Sequence, residues 1–149
     1  MKNEQKILKV YVAARAKYRV KHVVQIHNVL KKMGYQLTYD WADEDASIKK
    51  PYRKPENRKY NLKAQAKMLK AAAEADIFIF IDDPGLRGAY IELGAFLHDC
   101  LENSKDRKAY IVGPDSHERE FVFESPEYVL FCDNIDEVYQ DLSKSKSSL

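Results

Sequence analysis

The chain has 149 residues, enough for one domain with a proper core and too few for two comfortable ones. Hydrophobic residues make up 45% and charged residues 32%, a globular balance that excludes intrinsic disorder. The net charge of +2 forces neither a nucleic-acid nor a membrane partner, and two cysteines, Cys100 and Cys132, are too few for a disulfide framework.

The charged start, Met1 to Lys6, runs straight into a strand and does not read as a signal peptide. No apolar run approaches a membrane span, and the expectation is a cytoplasmic protein. Ile7 to Ala13 is a continuous apolar stretch, as expected of a parallel strand covered on both faces. Val20 to Met33 repeats apolar residues at helical steps and stops at Gly34. Tyr35 to Tyr39 reads as a short second strand. Asp40 to Tyr60 has no periodicity, contains Pro51 and Pro55, and reads as a long loop of the kind that forms lids. Leu62 to Ala75 is a predicted helix capped by Asn61, with Leu62, Ala66, Leu69 and Ala73 as its inward face. Asp76 to Ile81 is the most apolar strand and so the expected centre of the sheet. Gly88 to Glu102 follows as a helix with an inward stripe of Ala89, Leu93, Phe96, Leu97 and Cys100. Lys108 to Val112 and Tyr128 to Cys132 are the last strands. A final helix spans Ile135 to Leu142, capped by Asp133 or Asn134. One domain over residues 1–142 is expected, with 143–149 as a flexible Ser/Lys-rich tail.

Alternating strands and helices predict an α/β fold, a flavodoxin-like three-layer sandwich with a five-stranded parallel sheet in the order 2-1-3-4-5. Such sheets bind ligands at the carboxyl ends of the first and third strands, where the order reverses. Here those ends are Tyr11-Val12-Ala13-Ala14-Arg15 and Asp82-Asp83-Pro84. Ala13 and Ala14 are small enough to admit a ligand. Arg15, with Lys17 and Arg19, suits a phosphate or carboxylate at a helix start. Glu92 borders the inward stripe of the next helix, so its carboxyl should be partly shielded. Placed in that helix's first turn, it would also feel the positive end of the macrodipole, which favours its ionised form. It is a candidate nucleophile.

Other chemistries find less support. No Walker loop or GxGxxG is present. His22 and His27 are wrongly spaced for one helix face, His98 and Cys100 lack partners at ligand spacing, and His117 reads as surface; neither metal nor cofactor is expected. No nucleophile elbow supports a serine hydrolase. A phospho-receiver domain needs carboxylates after the first strand, where this chain has Ala13-Ala14-Arg15. The basic stretch from Lys49 to Tyr60 reads as a phosphate grip, a lid over the pocket or a solvated loop.

Several segments together resemble the nucleoside 2-deoxyribosyltransferase family, including its nucleotide N-hydrolase branch. They are Val10-Tyr11-Val12-Ala13-Ala14, Ala75-Asp76, Gly88-Ala89-Tyr90-Ile91-Glu92-Leu93-Gly94 and Ile111-Val112-Gly113-Pro114. The resemblance spans residues 7–142. It implies cleavage of an N-glycosidic bond, or (deoxy)ribosyl transfer, through a glycosyl-enzyme on Glu92, with Tyr11 beside it. It also implies a nucleoside or nucleotide ligand and a homo-oligomer, to which Trp41, Tyr52 and Tyr60 would lend interface aromatics. Two positions depart from the family pattern: Met68 stands where an aspartate is usual, and Leu86 where Asp or Ser is usual. Asp82 or Asp83 is the candidate replacement for the missing acid. Arg15 and Arg87, beside Gly88, are candidates for the sugar or phosphate end. The alternative class is a catalytically silent nucleotide-binding or sensing module on the same scaffold. No specific nucleic-acid partner is expected.

Overall fold

The structure is a computed structural model that describes residues 5–16, 19–43, 48–83, 85, 88–103, 106–114 and 127–147. Its elements in chain order are β1 (Lys9–Ala13), a π-helical turn (Arg19–Val23) that leads into α1 (Val24–Lys32), β2 (Gln36–Leu37), α2 (Pro55–Glu74), β3 (Ile77–Ile81), α3 (Gly88–Asn103), β4 (Lys108–Val112), β5 (Val129–Cys132) and α4 (Ile135–Ser147). All five strands are parallel, in the order β2-β1-β3-β4-β5. The predicted flavodoxin-like sandwich is therefore the observed one.

Burial explains the arrangement. Val10, Val12, Phe78, Ile79, Phe80, Ala109, Tyr110 and Ile111 are all completely buried, so β1, β3 and β4 are covered on both faces. Rings on one sheet face stack outward: Tyr11 to Phe78 at 5.6 Å between centroids, then Phe78 to Phe96 of α3 at 5.3 Å. The helices α2 and α3 pack together on that face. On the other face α4 returns to α1, where the Lys146 ammonium lies 4.2 Å over the Tyr35 ring and donates to the Met33 carbonyl. Gly34 ends α1 with φ of 89°, while Gly34 N–H and Tyr35 N–H bond back to Lys31 and Leu30. That is a Schellman stop, and it needs a residue without Cβ strain.

Three expectations change. First, α2 begins at Pro55, well inside the expected loop, because proline at the first helical position costs no hydrogen bond. Second, its inward face is Asn61, Ala64, Met68, Ala71 and Ala72; Leu62 is 57% exposed and Leu69 37%. Small alanines let the helix approach its neighbours closely, and the leucines are left outside. Asn61 is thus no cap. It is buried within α2, accepts from Lys49 N–H at 2.8 Å and donates to the carbonyls of Lys49 (2.9 Å) and Tyr52 (3.4 Å), clamping the segment before the helix. Third, α4 continues past Leu142 to Ser147, through most of the expected tail. Asn134 caps it by accepting from Glu137 N–H at 3.2 Å.

Trp41 is also not an interface aromatic. It is buried, and its indole N–H donates to the Val12 carbonyl at 2.6 Å. Asp76, part of the resemblance, serves the amino end of the sheet. Its carboxylate accepts from Lys9 N–H at 2.9 Å and pairs with Lys6 at 3.1 Å, tying β1 to β3. Among the described residues no helix is long and apolar enough to cross a membrane.

Candidate active site

Parallel strands end together, so the residues that follow β1, β2 and β3 share one edge of the sheet. Tyr11 points from β1 toward the α2–α3 layer, as its stacking on Phe78 requires. Glu92 lies one turn before Phe96 on α3, and residues four apart share a helix face. The stack that places Phe96 over Phe78 therefore brings Glu92 toward Tyr11.

The electrostatics differ from the expectation. Glu92 is the fifth residue of α3, and no acidic residue occupies the first turn. The macrodipole acts mainly within that turn, so it does little here. Burial dominates and pushes the Glu92 carboxyl up to about 7. The Tyr11 hydroxyl pulls the other way, though the two stop short of a hydrogen bond of ordinary geometry. The buried Tyr11 phenol is itself held well above the usual tyrosine range, first by burial and then by the Glu92 charge. The site thus pairs a carboxyl pushed up to about 7 with a phenol that keeps its proton.

A second pair closes the ends of β1 and β3. Arg15 Nη1 donates to Asp83 Oδ1 at 3.2 Å, and Gly85 N–H donates to the same oxygen at 2.8 Å. A Cβ at Gly85 would sit 2.5 Å from Arg15 Nη1, so only glycine lets the guanidinium lie there. Asp83 is buried, whereas the Arg15 side chain is 42% exposed and can reach a ligand. Asp82 turns toward β4: a Cβ at Gly113 would come within 3.2 Å of the Asp82 Cβ. Ala13 is buried and Ala14 half-buried at the end of β1. A Cβ added at Gly88 would meet no atom within 4 Å. Arg87, Leu86, Pro84, Lys17 and His117 lie outside the described residues.

Two tyrosines extend this edge. Tyr39 follows β2 and is close enough to raise the Tyr11 phenol further; Tyr60 in turn bears on Tyr39. The Lys49 ammonium lies 4.2 Å over the Tyr60 ring. Tyr39 had a legible signal, since it closes the expected second strand, which lies beside β1. Tyr60 did not, because its place depends on where α2 begins. Met68 is buried within α2, and its thioether cannot transfer a proton. Among the described residues no group of three or more His, Cys, Asp or Glu side chains is placed to hold a metal ion.

No family model matches the chain, and no curated protein matches it. Among solved structures, it is similar to the CMP N-glycosidase BcmB of Clostridium botulinum. The TM-score is 0.58 with 15% sequence identity, over 92% of this chain and 98% of that one. The two share a fold. At this identity the likeness extends no further than that.

Proposed function

We propose that the protein cleaves the N-glycosidic bond of a nucleotide, with Glu92 as the nucleophile. The observation that carries this reading is a shielded carboxyl facing a protonated phenol at the switch point of the sheet. The fold shared with a CMP N-glycosidase and the sequence resemblance both support it. The Glu92 carboxylate attacks the anomeric carbon, the bond to the base breaks, and the base leaves with the electron pair and takes up a proton. Water then attacks the glycosyl-enzyme, loses a proton and frees Glu92, with net retention at the anomeric carbon. A second base in place of water would complete a transfer. Tyr11 orients the carboxylate, and Arg15, braced by Asp83, receives the 5′-phosphate. Arg87 is a further candidate for that phosphate. Ala13, Ala14 and Gly88 leave room for the sugar. Asp82 and Asp83 remain the candidate replacements for an acid at the Met68 position, although Asp83 is already engaged with Arg15 and Gly85.

The buried Met68 favours a second reading, a module that binds nucleotides and leaves them intact. Incubation with CMP, other nucleotides, nucleosides and NAD, followed by chromatography for free base, separates the two. Base release supports the first. Ligand binding by calorimetry with no base from any compound supports the second. Calorimetry also tests Arg15: the 5′-monophosphate should bind about tenfold or more tighter than its nucleoside, a gap typical of a charge-assisted contact. Equal affinities would remove the phosphate from the account.

A further inference from the structure

The chain holds 25 basic and 23 acidic residues, but they are not mixed evenly. Nine of the basic residues and one of the acidic, Glu56, fall within residues 49–70, which leaves 16 against 22 elsewhere. A nearly neutral protein therefore carries one strongly basic face. All nine cations are exposed. Among the described residues only Lys54 and Lys70 pair with a carboxylate, Glu56 at 2.9 Å and Glu74 at 3.8 Å.

The helix arranges these charges in a line. Lys59, Lys63, Lys67 and Lys70 recur at helical steps and form one stripe, about 16 Å long at the usual rise per residue. Ala64, Met68, Ala71 and Ala72 bury the opposite side of α2, so the stripe faces solvent. At its amino end lie Lys49, Lys50, Arg53 and Lys54, held against α2 by the Asn61 clamp. Tyr52 in that segment is 54% exposed, with the Lys50 ammonium 5.7 Å from its ring.

We propose that this face of α2, with the segment before it, is a docking surface for single-stranded nucleic acid held through its backbone. A row with one cation per turn complements a linear polyanion, and an exposed tyrosine among cations offers a stacking platform that is indifferent to sequence. A membrane fits less well. An interfacial helix buries a wide apolar face in lipid, and outside the core α2 offers only Leu62 and Leu69 beside the lysine stripe. The surface acts independently of the chemistry assigned to Glu92.

The test is fluorescence anisotropy with labelled oligothymidylate and oligouridylate, the full-length protein and rising potassium chloride. Binding should weaken steeply, with a log–log slope of about −4 or steeper. The combined variant Lys59→Gln, Lys63→Gln, Lys67→Gln, Lys70→Gln should keep its circular dichroism and lose about 3 from that slope, near 0.7 per contact. Tyr52→Ala should weaken binding about fivefold or more at an unchanged slope. No binding at low salt, the same slope in the lysine variant, or tighter binding to duplex than to single strands would overturn the proposal. So would lysine-dependent sedimentation with phosphatidylserine vesicles in the absence of oligonucleotide binding.

Discussion

Glu92 is held between two opposing effects, and their relative size sets what can be measured. Burial raises its carboxyl to about 7 against an ordinary 4.5, while the Tyr11 hydroxyl opposes the rise. A nucleophile must be ionised, so the rate of base release should climb with pH through a midpoint near 7. Tyr11→Phe removes the opposing hydroxyl and should move that midpoint upward; a fixed midpoint would show that the two side chains do not communicate. The same shift bears on stability. The folded protein holds this proton more tightly than the unfolded chain, so the contribution is full below about 4.5 and is lost as pH rises through about 7. Glu92→Gln should therefore be more stable than the wild type at pH 8, by about 1–3 kcal/mol, with the gap shrinking toward pH 4. Thermal or urea unfolding at the two pH values checks this. His27 acts in the opposite sense. It is buried, bonds Asp40 at 3.1 Å through Nδ1, and burial holds its pKa below the usual range despite that carboxylate. Its folded state binds fewer protons, so its contribution is lost as pH falls below about 6.5.

At the scale of elements, α2 brings Tyr60 to the edge of the site and clamps the segment that precedes it. Its start at Pro55 places Tyr60 beside Tyr39, and its buried Asn61 fixes Lys49 and Tyr52. Asn61→Ala leaves the Lys49 N–H and carbonyl without these partners and should cost about 1–3 kcal/mol. It should also raise proteolytic cleavage within residues 48–54; unchanged stability and cleavage would mean that the clamp is ornamental. The carboxyl end of α2 is fastened separately. Buried Arg107 donates to the Ala75 carbonyl at 2.8 Å, to the Ala73 carbonyl and to Asp99 of α3, and lies 4.6 Å over Phe96. β1, β3, β4 and α3 were legible because continuous apolar runs and a clean helical stripe admit one reading, whereas β2, expected over Tyr35 to Tyr39, is only Gln36–Leu37. The helix α2 was not, since Leu62, Ala66, Leu69 and Ala73 repeat with the same period as the truly buried residues. Its start was hidden by a proline that read as a loop. Asn61, Trp41 and Arg107 act through partners far along the chain, and no local pattern announces such contacts.

For the whole molecule, the five-strand order followed from strand–helix alternation, and the switch-point rule names the edge on which the candidate site is placed. The resemblance set Tyr11 beside Glu92, and the two side chains shift each other, but the direction of the Glu92 shift was not legible, because it depends on burial beyond the first turn of α3. The proposed chemistry rests on one carboxyl group, that of Glu92. Its most direct test is turnover of a cleaved nucleotide by the wild type and by Glu92→Gln, with free base measured by chromatography and folding checked by circular dichroism. Base release by the wild type is expected, with a loss of about a thousandfold or more in a folded Glu92→Gln protein. Base release by Glu92→Gln at the wild-type rate would contradict the proposed chemistry.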